Sequence, residues 1–215
     1  MSNEVKRKRG RPSLKRSADR NQLLQVALKA FATYGFDGTN IKRLAKEAGV
    51  AGSLFYHHFK NKEGLWKAAM EQLAQKLVAE TTAAEKILKD LDPLSYLKAA
   101  TRQFIYFSAK NPEFHQIITY ELARPSTRAD WLVEMVLTPL YLRLHQMLEV
   151  LIKEGKIKAL PFANFISIAI GAANVYFAQG YQMKKLYDID VFEEEAIEEH
   201  ADVVIELFFK GLLIP

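Results

Sequence analysis

Residues 39–59 read TNIKRLAKEAGVAGSLFYHHF, and this stretch decides the fold. Thr39 is placed to cap a short helix whose apolar stripe is Ile41, Leu44, Ala45 and Ala48. Gly49 terminates that helix, and a second short helix is predicted over about 52–59. Ile41, Leu44, Ala45, Val50 and Phe55 face inward, which leaves Tyr56, His57 and His58 on or near the outer face, with Lys60 and Lys62 just beyond. Two short helices joined by a tight turn make a helix-turn-helix, a unit that lays its second helix in the major groove of DNA.

Upstream, Leu23, Leu24, Ala27, Leu28 and Phe31 recur at helical spacing behind Ser17 as cap; Gly35 ends that helix, and Asp37-Gly38 makes a turn. Residues 1–16, MSNEVKRKRGRPSLKR, nearly lack large apolar groups and are expected to form a disordered basic arm. Downstream the pattern is helical throughout. Lys60-Asn61-Lys62-Glu63 opens a fourth helix carrying Leu65, Ala69, Leu73 and Leu77 on one face. Further helices are expected over about 93–110, 112–123, 127–154 (kinked by Pro139, stopped by Gly155), 161–182 (Pro161 at its first position) and from Glu193 onward. No run alternates as a strand does. The expectation is an all-α chain of about nine helices. It divides into the arm 1–16, a three-helix helix-turn-helix domain over 17–66 and a helical domain over 67–215.

Charge follows the same division. The net charge is +5, but residues 1–20 hold eight basic and two acidic groups, whereas residues 67–215 hold sixteen and twenty. A positive field on the first third attracts phosphate polyanions. With no cysteine in 215 residues, a disulfide framework, a cysteine zinc site and a thiol nucleophile are excluded. The basic N-terminus, without an apolar stretch behind it, is not the pattern of a secretory signal. Between Lys158 and Lys184 lie 25 uncharged residues, long enough to span a bilayer. Pro161, Asn164, Asn174, Gln179 and Gln182 interrupt them, so a buried helix is expected and no membrane partner.

The segment resembles the TetR family of bacterial transcriptional repressors. The residues that carry the likeness are Phe31, Gly35-Phe36, Thr39, Leu44-Ala45, Ala48-Gly49-Val50, Leu54-Phe55-Tyr56-His57-His58-Phe59 and Lys62-Glu63-Gly64-Leu65. The resemblance covers about 17–66; the rest is similar only in length and helical character. It implies DNA contacts from Thr39, Lys42, Gly52, Ser53, Leu54, Tyr56, His57 and Lys62. Three positions depart from the family pattern. Ala51 stands where Ser or Thr is common, Gly52 where a polar residue is common and Ser53 where Gly is common, so the recognition helix lacks a side-chain N-cap at Ala51. In the arm, Lys8-Arg9-Gly10-Arg11-Pro12 resembles the core of an AT-hook. Arg9 and Arg11 either enter an A·T-rich minor groove or simply bind phosphates.

The family resemblance also implies a small-molecule effector bound in the helical body. The expected contacts are Phe104, Phe107, His115, Tyr120, Trp131, Tyr141, His145, Asn174 and Phe177, an aromatic-rich set with few polar groups. It implies a homodimer through about 161–182 and 193–211, where Ala169, Gly171, Ala172 and Ala173 permit close approach and Ile197, Val204, Ile205, Phe208 and Phe209 supply apolar area. His57-His58 is not a metal pair, since adjacent helical positions diverge, and His200 is expected at the surface. No catalytic set, cofactor motif or metal site is apparent. The sequence thus points to a cytoplasmic, ligand-responsive repressor on a pseudo-palindromic operator. The alternatives are an architectural A·T-rich DNA binder, or a helical small-molecule-binding or catalytic protein.

Overall fold

A computed structural model describes residues 19–88 and 91–213. Arg9, Arg11, the rest of the arm and Ser17 lie outside the described residues. The chain separates into two units, the first ending at Ala69 and the second beginning at Met70.

In the first unit, α1 spans Arg20–Gly38 and is capped by Asp19, whose carboxylate accepts from the Asn21 N–H at 3.3 Å. Leu23, Leu24, Ala27, Leu28 and Phe31 are all buried, as their spacing demands. Gly35 breaks the helix at φ 66°. The cap of α2 (Ile41–Ala48) is Asn40, not Thr39: the Asn40 side chain accepts from the Lys42 N–H at 2.8 Å. Thr39 is 2% exposed, and its hydroxyl donates to the carbonyls of Gly35 at 2.7 Å and Ala30 at 3.2 Å. It ties the broken end of α1 to the start of α2. Gly49 then turns the chain in the left-handed region, φ 67°, where a side chain would be strained.

The helix α3 covers Gly52–Phe59, as the pattern predicts, and Ala51 supplies no side-chain cap. Phe55 and Phe59 anchor its inner face. Asn61 starts α4 (Lys62–Leu88) by accepting from the Gly64 N–H at 2.7 Å. Gly64 is required there by proximity, because a Cβ would lie 2.2 Å from the Phe59 carbonyl oxygen. Leu65, Trp66 and Ala69 of α4 complete this unit's core, with Trp66 edge-on to Phe36 at 6.5 Å.

The second unit contains the remainder of α4, then α5 (Pro93–Lys110), α6 (Pro112–Leu122), α7 (Thr127–Leu132), α8 (Thr138–Lys153), α9 (Phe162–Ala178), α10 (Gly180–Tyr187) and α11 (Glu194–Leu212). The described residues thus hold eleven α-helices, two more than expected, because two long helices are divided. The expected helix over 127–154 is interrupted by a π-helical turn, Val133–Leu137. Pro139 cannot donate a backbone hydrogen bond and crowds the preceding turn. The Thr138 N–H and hydroxyl both bond to the Val133 carbonyl, five residues back. The expected helix over 161–182 breaks at Gln179, so that α9 and α10 meet at 62°. Pro161 occupies the N-cap position rather than the first helical turn. No single described helix is long and apolar enough to cross a membrane; α9 and α10 reach that length and composition only as a bent pair.

Two apolar clusters hold this unit together. Ile105, Ala109, Ala173, Phe177, Ile197, Ala201 and Val204 join α5, α9 and α11. Leu97, Leu148, Leu151, Phe165, Phe209 and Leu212 bring in α8. Ion pairs join elements as well: Glu121, 5% exposed, accepts from Arg128 Nε at 3.0 Å, and Arg102 of α5 pairs with Asp202 of α11. His200 is half-buried, not a surface residue. Its Nε2 lies 3.0 Å from the Ala172 carbonyl and its ring stacks on Tyr176 at 4.2 Å. Burial pushes the imidazole below its usual value, while the Ala172 carbonyl opposes that shift.

Candidate nucleic-acid interface and ligand cavity

With Phe55 and Phe59 turned inward, the geometry of α3 leaves Ser53, Tyr56 and His57 on one outer side, at helical spacing of three and four. Tyr56 is 55% exposed, and His57 and His58 are exposed with their rings edge-to-face at 5.2 Å. Leu54 is half-buried. Gly52 leaves open space beside it, since a Cβ there would meet only Ala45 at 3.9 Å, so a ligand backbone can approach closely. Lys42, on α2, is exposed, as are Lys46 and Lys60. Arg43 lies over the Tyr34 ring at 3.7 Å, a cation–π contact that holds both side chains beside α2.

Two expected contacts are placed differently. Thr39 is buried and its hydroxyl is spent on two carbonyls, so its side chain does not reach the surface. Lys62 turns inward: its ammonium donates to the carbonyls of Phe36 at 3.0 Å and Thr39 at 3.3 Å and sits over the Phe36 ring. One of its three N–H groups remains for another partner.

The second unit encloses a cavity of about 450 Å³. That is the size of a small-molecule site. Among the expected contacts, Phe104, His115, Tyr141 and Asn174 line it. The other five do not. Phe107 is 1% exposed and packs edge-on against Phe114 in the core, and Phe177 packs in the cluster between α9 and α11. Tyr120 is 65% exposed on α6, and Trp131, half-buried on α7, is not among the residues lining the cavity. His145 is exposed, with its ring against Phe162 at 4.6 Å.

Residues outside that expected set complete the wall, among them Ala169, which was expected at the dimer contact. Leu77 and Thr81 come from α4; Tyr96, Leu97, Ala100 and Thr101 come from α5. The π turn contributes Leu137, and α8 contributes Leu140, Arg143, Leu144 and Met147. Phe165, Ile166, Ala169 and Ile170 come from α9. The wall is predominantly apolar. Burial pushes the His115 imidazole below its ordinary value and the Tyr141 phenol above its own, so both are neutral near pH 7. Arg143 had a signal in the sequence, being the only fixed charge between Glu134 and Glu149. Among the described residues no group of three His, Asp or Glu is arranged to hold a metal.

The expected dimer residues are also redistributed. Ile197, Val204 and Phe209 are buried in their own unit, as is Ala173. The outward apolar residues are Ile168 and Val175 on α9 and Val203 and Leu207 on α11. Gly171 lies between the first two with open space around its Cα.

Residues 23–69 match the family of bacterial regulatory proteins, tetR family, and residues 123–215 match a tetracyclin repressor-like C-terminal domain. Among curated relatives, the chain is 28% identical over 113 residues to the HTH-type transcriptional regulator RutR of Escherichia coli (strain K12), covering 53% of this chain and 52% of that protein. It is 36% identical over 85 residues to the HTH-type transcriptional regulatory protein RaaS of Mycobacterium tuberculosis, 38% of each. The chain therefore spans about half the length, or less, of these curated relatives. Solved structures cover more. FadR of Bacillus halodurans, a fatty acid degradation regulator, has a TM-score of 0.69 at 18% identity, covering 90% of this chain and 100% of that one. FadR of Bacillus subtilis, solved in complex with stearoyl-CoA, has a TM-score of 0.66 at 19% identity, covering 90% and 99%. At such identities the likeness is one of fold.

Proposed function

The chain belongs to the TetR family of bacterial transcriptional regulators, and on that premise we propose that it is a dimeric, cytoplasmic repressor released from its operator by a small, partly apolar effector. The observation that carries the reading is the pairing of an outward helix-turn-helix face in the first unit with an apolar, ligand-sized cavity in the second. In this reading residues 17–66 bind DNA and residues 67–215 bind effector and partner copy. Tyr56, His57 and Ser53 read the major groove, Gly52 allows close backbone approach, and Lys42 binds phosphate. Arg9 and Arg11 add salt-dependent affinity from the arm.

Dimerisation is assigned to the outward faces of α9 and α11, about 161–182 and 193–211, where Ile168, Val175, Val203 and Leu207 are exposed. Twofold symmetry then presents two α3 helices to a pseudo-palindrome. The effector acts by preferring a conformation that DNA does not. The helix α4 belongs to both sites, with Lys62–Trp66 in the first unit and Leu77 and Thr81 in the cavity wall. The stearoyl-CoA held by the Bacillus subtilis neighbour supports a ligand with a long apolar portion.

The test is selection of binding sites from random DNA with the full chain, followed by footprinting. A protected pseudo-palindrome is expected, and Tyr56→Ala is expected to weaken its binding by ~1–3 kcal/mol, the scale of one good groove contact. Uniform binding to A·T-rich tracts, indifferent to Tyr56, would favour the architectural reading instead.

A further inference from the structure

Several polar groups on the cavity wall are already used. The Thr81 hydroxyl donates to the Leu77 carbonyl at 3.0 Å, and the Thr101 hydroxyl donates to the Leu97 carbonyl at 2.9 Å. Both hydroxyls are spent on their own helices, and the methyl groups are left for a ligand. His115 Nε2 faces the Thr119 hydroxyl at 3.3 Å. His115 and Tyr141 are half-buried, so water retains access to them.

Asn174 is the exception. It borders the cavity from α9 and is only 4% exposed. Its neighbours on that helix, Ala173 and Phe177, pack among apolar side chains of α5 and α11. One N–H of the carboxamide donates to the Ile170 carbonyl at 3.0 Å, one turn back. That bond fixes the orientation of the amide, because the reversed one would set two oxygens against each other. Among the described residues no donor meets the carboxamide oxygen, and no acceptor meets the second N–H. Buried polar groups are costly unless their hydrogen bonds are made, so this capacity calls for a partner.

We propose that the effector carries a group that both donates and accepts hydrogen bonds, a primary amide or a hydroxyl, and that Asn174 receives it while the apolar remainder fills the cavity. The proposal rests on the reading of this cavity as the effector site. A ligand that fills the cavity takes water away from Asn174. A group that donates replaces the lost water, whereas one that cannot donate leaves the carboxamide oxygen unmet. Asn174 therefore acts by rejection: it disfavours molecules of the right shape that lack a donor. At ~30 Å³ for each group the size of a water, the 450 Å³ volume holds roughly 15 non-hydrogen atoms, so ten-carbon probes fit.

The experiment is calorimetric titration of the full chain with decanamide, 1-decanol and methyl decanoate, each below its solubility limit. The ester accepts hydrogen bonds but donates none. All three are expected to bind once per chain. Asn174→Leu removes both hydrogen-bonding functions at nearly constant volume. It is expected to weaken decanamide and 1-decanol about tenfold relative to methyl decanoate, the effect of losing one buried hydrogen bond. Asn174→Ser serves if the leucine variant does not fold, since a serine hydroxyl on a helix turns to its own backbone, as Thr81 and Thr101 do. Ala100→Trp fills the cavity and should abolish all three; Ala169→Phe serves if that variant does not fold. If Ala100→Trp abolishes binding but the amide-to-ester affinity ratio is the same with and without Asn174, the assignment of Asn174 is overturned and the cavity stands. If no probe binds, or the filled variants bind as the native chain does, the cavity reading falls and the proposal with it.

Discussion

Replacing Thr39 by Val separates two roles for this residue, since Val keeps the shape and removes the hydroxyl. Thr39 is 2% exposed, and its hydroxyl reaches two carbonyls, at 2.7 and 3.2 Å. One of them, Gly35, lies where α1 is already broken, so its oxygen has no regular helical alternative. Leaving buried carbonyls without that donor costs ~1–3 kcal/mol. Thr39→Ser keeps the hydroxyl and removes one methyl, for about 1 kcal/mol. Thr39→Ala combines the two losses, ~2–4 kcal/mol if they add. The chain has two Trp residues, and a Trp131→Phe background leaves Trp66, fully buried in the first unit, as the reporter. Urea unfolding followed by Trp66 fluorescence should then rank the variants native, Ser, Val, Ala in falling stability. DNA affinity measured well below the unfolding midpoint should change little for Ser. A Val variant as stable as the native chain but unable to bind operator would refute the clamp and return Thr39 to the DNA surface.

Gly64→Ala should destabilise the first unit by about 2–3 kcal/mol, because its Cβ would press into the Phe59 carbonyl; an unchanged Trp66 unfolding midpoint would contradict this. Arg128→Ala should cost ~3 kcal/mol by leaving the Glu121 carboxylate buried and unpaired, and the double variant Arg128→Met with Glu121→Leu should recover most of it in urea unfolding; no recovery would mean that Arg128 acts through other contacts. Burial holds His115 and His200 below the ordinary imidazole value of 6.5, so the unfolded chain takes up these protons first. Stability should be level above about pH 6.5 and fall as pH drops below it, by at most ~1.4 kcal/mol per pH unit for each histidine. His200→Phe, which can keep the stack on Tyr176, should flatten that fall, and an unchanged slope would remove His200 from the account.

Local signals made the helix-turn-helix legible. Gly49 can take the left-handed turn that other residues disfavour, and the alternation of Phe55 and Phe59 with Tyr56 and His57 fixed which side of α3 faces out. The cap of α2 was misread because Thr39 and Asn40 are both competent capping residues. Only burial against Ala30 and Gly35 decides between them, and that is tertiary information. The break between α9 and α10 was hidden for the opposite reason. An uncharged run does not announce a bend, and Gln179-Gly180 carries no proline. The cavity was legible in kind but not in detail. Phe104 and Phe107 lie one helical turn apart on α5, yet one lines the cavity and the other is core, a difference set by what packs opposite.

Coupling between the two units is the centre of the account, and operator binding with and without a cavity ligand measures it directly. Fluorescence anisotropy of the selected operator is titrated with the full chain, alone and in saturating decanamide; calorimetry then compares decanamide affinity for free and operator-bound protein. Linkage requires one factor in both directions, on the order of 5–150-fold for a typical allosteric pair. The account predicts that decanamide lowers operator affinity by that factor and that operator lowers decanamide affinity equally. Operator affinity unchanged by a ligand shown to occupy the cavity would contradict it.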